Sequence, residues 1–317
     1  MFALREIAVS LTFFVLVYCL LSAVVAVSWR SLKGLRASEK TVAAMLFAFR
    51  ILPLTASVIV TFVLVVPSFQ LLEPRSINEG MGTMPLALGS CALLLIAAGC
   101  FRVITAQTKT SRVVSRWLEG ARPLQGETGA NADLPALAYC SKGAAPPLTL
   151  IGVRNPRVLV SESTVALLNH DELHIALKHE LAHMQSRDNL KKLLFRFCPF
   201  PGMAKLESAW SQAAELAADD AAVASLGDAI DLAAALVKLS RLVPVEAAPV
   251  CTVGFVTGSI RARVARLLVW DETTKLYPVR LHSWHLLPPS LVALIVLFSS
   301  YGSALALTHE VTEWLVR

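Results

Sequence analysis

Charge is scarce in this chain. Of its 317 residues, 16% are Asp, Glu, Lys or Arg, where a soluble domain carries about a quarter. An ordinary soluble enzyme is thereby excluded. The six cysteines, Cys19, Cys91, Cys100, Cys140, Cys198 and Cys251, never form a C-x-x-C pair, which argues against a cysteine zinc site or a disulfide framework. No internal repeat is visible, so the chain is not a solenoid. What it has instead is apolar residues, 55% of the total, with a mean hydropathy of +0.60. That composition belongs to a membrane protein. The net charge of +6 gathers in the loops beside the apolar segments, so the partner it implies is anionic lipid and not nucleic acid.

Four segments approach the roughly 20 apolar residues that cross a hydrocarbon layer: 7–27, 51–72, 85–105 and 286–307. The first reads as a retained span and not a cleaved signal peptide, because its leading end carries only Arg5 and the positive cluster follows it. Between the first two spans lie Arg30, Lys33, Arg36, Lys40 and Arg50 against Glu39, whereas the 73–84 connection has only Arg75 as a basic residue. The first loop is therefore expected inside and the second outside. Lys109, Arg112, Arg116 and Arg122 follow the third span, placing 106–285 in the cytoplasm of a multi-pass inner-membrane protein with both termini external. Arg50 and Arg102 sit near span ends, where such side chains can snorkel to the interface. The organisation expected is three spans in 1–105, a cytoplasmic α+β domain in 106–285, and a fourth span with a short external tail in 286–317.

One stretch of the cytoplasmic segment names a chemistry: His179-Glu180-Leu181-Ala182-His183. On a helix, two histidines four apart stand one turn from each other on one face and can share a metal, while the carboxylate beside them reaches the attacking water. The helix is expected over 171–185, opened by an Asn169/Glu172 capping box and free of Gly and Pro. His170 and His174 face elsewhere on that helix and read as surface or cap residues. The third ligand should come from a second helix. An Ala-rich run over about 207–226, closing at Gly227, carries Glu215 and Asp219 on one face. Taken alone these acids would be a solvated helix face. Beside H-E-x-x-H, Glu215 completes a His2Glu site for one Zn2+ with an open fourth position, and Asp219 suits an outer carboxylate that orients an imidazole. Glu180 is then the general base for hydrolysis of a peptide bond.

H-E-L-A-H followed by E-x-x-x-D resembles the gluzincin metallopeptidases. The flanks, 151–161 (IGVRNPRVLVS), 186–190 (SRDNL) and 259–264 (SIRARV), resemble the membrane-embedded peptidases of the beta-lactam-sensing signal transducers of the BlaR/MecR type. That resemblance covers about the middle third of the chain. It implies a zinc metalloendopeptidase that responds to a transmembrane signal and cleaves a cytoplasmic protein such as a transcriptional repressor, and it draws attention to Arg263. In similar peptidases an edge strand beside the metal aligns an extended substrate. The sensor transducers continue outward after the fourth span into a penicillin-binding domain, whereas this sequence has about ten residues there. Its stimulus is thus expected through a sensor partner, the external loop or the membrane.

Other readings stay open. A heat-shock-type quality-control protease shares the metal motifs but places two spans ahead of them, and a catalytically silent membrane adaptor would use the site structurally. Ahead of the helices, 136–141, 148–153 and 157–161 read as short strands, the last two joined by an Arg154-Asn155-Pro156 turn. The run 190–197 mixes Lys191, Lys192 and Arg196 with Leu and Phe, a packed helix with a basic outer face or one lying on the leaflet. Arg261, Arg263 and Arg266 read as ion-pair formers, with Arg263 a candidate for charge stabilisation.

Overall fold

The computed structural model describes residues 2–30, 37–73, 82–124, 138–142, 146–242, 252–254, 260–271 and 287–316. Among the described residues, three helices are long and apolar enough to cross a membrane. The first is α1 (Phe2–Ser28). The second, Glu39–Leu72, runs as α2 (Glu39–Val60), a π-helical turn at Thr61–Val65 and α3 (Val66–Leu72). The third is α4 (Thr83–Leu118). The second and third extend well beyond the expected spans. Ser38 caps α2 by accepting from the Thr41 amide, and no Gly or Pro interrupts 39–52, so much of the predicted first loop is helix. The fourth expected span falls in α11 (Leu287–Val316), whose side chains over 287–299 lie outside the described residues. Its Tyr301 hydroxyl donates to the Val63 carbonyl in the π turn, 2.8 Å away.

Between α4 and α11 sits a small sheet with six helices. The strands are β1 (Arg122–Pro123), β2 (Ala138–Ser141), β3 (Leu148–Ile151), β4 (Arg157–Ser161) and β5 (Thr252–Gly254), in the order β1-β2-β4-β3-β5. The β2/β4 pair is parallel, and β1/β2, β3/β4 and β3/β5 are antiparallel. The hairpin turn between β3 and β4 depends on Gly152, at φ 87°, where a Cβ would meet the Asn155 carbonyl oxygen at 2.8 Å. All three strands read from the sequence are interior. The edges are β1 and β5, two- and three-residue segments too short to show a period.

The helices of this part are α5 (Glu162–Leu167), α6 (His170–Gln185), α7 (Asp188–Phe197), α8 (Ala204–Ala222), α9 (Leu226–Ser240) and α10 (Ile260–Leu268). The capping box on α6 forms: Asn169 Oδ1 accepts from the Glu172 amide at 2.8 Å, and Glu172 Oε2 accepts from the Asn169 amide at 2.9 Å. The Ala-rich helix ends earlier than expected. Ser225 and Asp228 make a second capping box that opens α9, so Gly227 lies in the first turn of a new helix and does not terminate the old one.

Two apolar cores position these elements. One packs the sheet, through Leu148, Leu150, Val158 and Val160, against α6 and α9. The other joins the membrane helices to the rest. Val25 and Trp29 at the end of α1, with Ala43 and Leu46 of α2, pack on Phe195 of α7 and on Leu206, Trp210, Ala213 and Ala214 of α8. Within this second core, Arg50 is 2% exposed and does not snorkel. Its guanidinium bonds Glu207 Oε1 at 2.8 Å and the Cys198 carbonyl at 2.7 Å, because the end of α7 covers it and offers carbonyls that lack helical partners. Arg102 is exposed.

Candidate metal centre

Helix α6 brings His179 and His183 together one turn apart, their Nε2 atoms separated by 3.1 Å and their rings nearly perpendicular at 81°. Helix α8 packs across them and contributes Glu215, whose Oε2 lies 3.7 Å from His179 Nε2 and whose Oε1 lies 3.7 Å from His183 Nε2. The close approach is eased by the small side chains of α8, which carries eight alanines among its 19 residues. All three side chains are buried, at 0%, 1% and 3% exposure.

The other imidazole nitrogens are engaged by carboxylates. His183 Nδ1 lies 2.7 Å from Asp188 Oδ2, and His179 Nδ1 lies 3.0 Å from Asp219 Oδ1. In a neutral imidazole, an acceptor-only carboxylate beside Nδ1 favours the proton on that atom and leaves Nε2 to present its lone pair beside the Glu215 carboxylate. With both rings neutral, two lone pairs and an anion would converge in a buried space and repel unless a cation lay among them; without a metal, a proton on His179 plays that part. The spacing suits a metal cation: bonds of about 2.0–2.2 Å in a tetrahedron place ligand atoms about 3.3 Å apart, and the separations here run from 3.1 to 3.7 Å. Nitrogen and carboxylate donors in that arrangement fit zinc.

Electrostatics around the trio are correspondingly strained. Burial alone would lower the His179 pKa, but Asp219 and Glu215 outweigh it and raise it to about 9. Burial raises Glu180 to about 7, with His183 and His179 pulling part of the way back. Asp219 is opposed by burial but held down to about 2 by His179 and Arg263. Burial works against ionised Glu215 as well, yet His183, His179 and Arg263 keep its pKa below the usual carboxylate range. Glu180 itself is 0% exposed, and neither of its oxygens has a hydrogen-bond partner among the described residues.

Arg263, on α10, reaches both acids of α8. Its Nη1 donates to Glu215 Oε2 at 2.8 Å, Nη2 to Asp219 Oδ1 at 2.6 Å and Nε to Asp219 Oδ2 at 2.8 Å. The guanidinium thus fixes the carboxylate that faces the two imidazoles and the one that orients His179. Arg266 pairs instead with Asp220. The His170 and His174 rings lie tilted to each other with centroids 6.4 Å apart, and neither joins the trio. The sequence reading gave Asp188 no role. It follows His183 by five residues and enters through a sharp turn in which Arg187 adopts a left-handed φ of 54°. Next to it, Asn189 Nδ2 donates to the Leu150 and Gly152 carbonyls at 3.2 and 2.9 Å, tying the start of α7 to the sheet.

A family model described as BlaR1 peptidase M56 matches residues 11–267. No curated protein and no solved structure matches the chain.

Proposed function

Since the chain belongs to the BlaR1 peptidase M56 family, a family of membrane-associated peptidases, we propose that it is an integral-membrane zinc metalloendopeptidase whose metal is held by His179, His183 and Glu215. The observation that carries the proposal is the convergence of two Nε2 atoms and one carboxylate in a buried space, with Glu180 next to them, neither of whose oxygens has a hydrogen-bond partner among the described residues. Zinc bound there would supply Lewis-acid activation of water and of the substrate carbonyl.

The chain's own groups do the rest. Glu180, buried beside the two imidazoles with neither oxygen bonded among the described residues, accepts a proton from the attacking water and returns it to the departing amine. Asp188 and Asp219 hold the two imidazoles in the tautomer that presents Nε2. Arg263 keeps Glu215 and Asp219 from drifting as protons move. The basic loops orient this machinery toward the cytoplasm, and the substrate in this reading is a cytoplasmic protein, a transcriptional repressor in a signalling pathway.

Replacing Glu180 by Gln in purified, reconstituted protein tests the reading. Zinc content should match wild type while peptide-bond cleavage falls by about 10²–10⁴-fold. Undiminished cleavage would remove Glu180 from the mechanism, and zinc-free wild-type protein would favour the silent adaptor. Comparing the proteomes of cells carrying the two forms would expose the cleaved substrate.

A further inference from the structure

Between α4, α7 and the start of α8 lies a cavity of about 400 Å³ whose lining includes Arg102, Lys192, Arg196, Phe195, Phe200 and Trp210. Its walls are built in advance. Phe200 sits edge-on to Tyr18 with ring centroids 6.1 Å apart, and the Tyr18 hydroxyl donates to the Pro199 carbonyl at 3.2 Å. Trp210 sits edge-on to Phe195 at 5.0 Å. Among the described residues of the lining the one carboxylate, Glu207, is engaged by Arg50 at 2.8 Å, so Arg102, Lys192 and Arg196 give the cavity a positive balance.

Its depth relative to the bilayer follows from α4. At Gly99 the helix touches the end of α7 so closely that a Cβ would collide with the Phe197 carbonyl oxygen. Arg102 lies one turn further along α4, at the end of its apolar stretch, and Arg196 is adjacent to Phe197. Both cations therefore stand where a membrane span gives way to the headgroup layer. Around Arg102 the exposed residues of α4 are apolar, Phe101 at 68% and Ile104 at 60%, a surface that acyl chains cover and that an acidic peptide or a free anion would leave bare.

We propose that this cavity binds the phosphate headgroup of an anionic phospholipid, with Arg102 and Arg196 as its principal cations and the acyl chains lying along Phe101 and Ile104. Basic pockets between helices at a membrane boundary hold such headgroups. The site is a bounded pocket, distinct from the general attraction of basic loops to a charged surface, and it does not depend on the peptidase assignment.

The full chain, reconstituted in nanodiscs of phosphatidylcholine with a minority of phosphatidylglycerol and then analysed by native mass spectrometry, should retain phosphatidylglycerol selectively. An Arg102→Ala/Arg196→Ala double variant should lose that selectivity by about thirty-fold, near fivefold per cation, with zinc content unchanged. The Arg112→Ala variant, a cation further along α4, should behave as wild type, and Arg102→Lys/Arg196→Lys should keep most of the selectivity. Equal retention by the double variant would overturn the proposal. So would displacement of the lipid by millimolar inorganic phosphate, which would make this a plain anion site. If the double variant alters cleavage of acidic substrates while lipid retention stays put, the cavity belongs to the substrate.

Discussion

Glu180, His179 and Asp219 carry pKa values displaced in directions that set how the metal-free protein responds to pH. Glu180 rises from 4.5 to about 7, so between those values the folded state holds the extra proton and stability falls as pH rises. His179 rises from 6.5 to about 9; its contribution is complete below 6.5 and lost as pH climbs through 9. Asp219 drops from 3.8 to about 2, giving stability that is present above 3.8 and lost as pH falls toward 2. The chelated protein should therefore melt at its highest temperature near about pH 4–5 and lose stability steadily toward pH 9. Zinc needs the imidazoles free of the proton it replaces, so its stabilising effect should grow with pH and reverse that decline. Thermal melts of chelated and zinc-loaded protein across the range would check both slopes. In the chelated Glu180→Gln variant the decline between 4.5 and 7 should flatten while the part due to His179 remains; a decline of unchanged shape would show that Glu180 is not the group responsible.

The junction of α6 and α7 separates two jobs that adjacent residues perform. Arg187 takes the left-handed turn, at φ 54°, and its side chain is exposed, so Arg187→Gly should raise stability by about 1 kcal/mol without touching zinc affinity. Asp188 uses that turn to reach His183, and Asp188→Ala should weaken zinc binding by about 10–100-fold, as should Asp219→Ala. Competition titration with a zinc chelator distinguishes them, and an Asp188 variant with wild-type affinity would leave that carboxylate a purely local role. Helix α6 was legible in the sequence because its signals are local: a capping box, an uninterrupted run and two histidines one turn apart. The pairing of Glu215 with them was legible only through the spacing of a second motif. Asp188 was not, since nothing in a five-residue interval announces a left-handed turn that folds the chain back. The break between α8 and α9 was available in Ser225 and Asp228, but the continuous alanine pattern masked it. The sheet edges β1 and β5 left no periodic trace at all.

At the scale of the whole chain, the helix that carries Glu215 and Asp219 is held from two sides. One face of α8 meets the imidazoles of α6, and the other, through Leu206, Trp210, Ala213 and Ala214, packs on α1 and α2. Composition alone placed Arg50 at a span end, where water or headgroups would receive its charge. The fold instead covers it with α7 and α8 and satisfies it with Glu207 and the Phe195 and Cys198 carbonyls, a long-range arrangement that no local pattern encodes. A membrane helix is thereby fastened to the helix bearing the metal ligand. Replacing Arg50 by Ala leaves those carbonyls without their donor and Glu207, itself partly exposed, without its partner. The cost to the docking of α7 and α8 on α2 should be about 2 kcal/mol, or roughly thirty-fold in the opening equilibrium. Hydrogen exchange on the reconstituted protein should then accelerate over 195–214 by that factor while α6, anchored in the other core with the sheet and α9, exchanges as before. Unchanged protection over 195–214 would mean that Arg50 contributes nothing to the fastening, and acceleration in α6 to the same extent would mean that the two cores open as one.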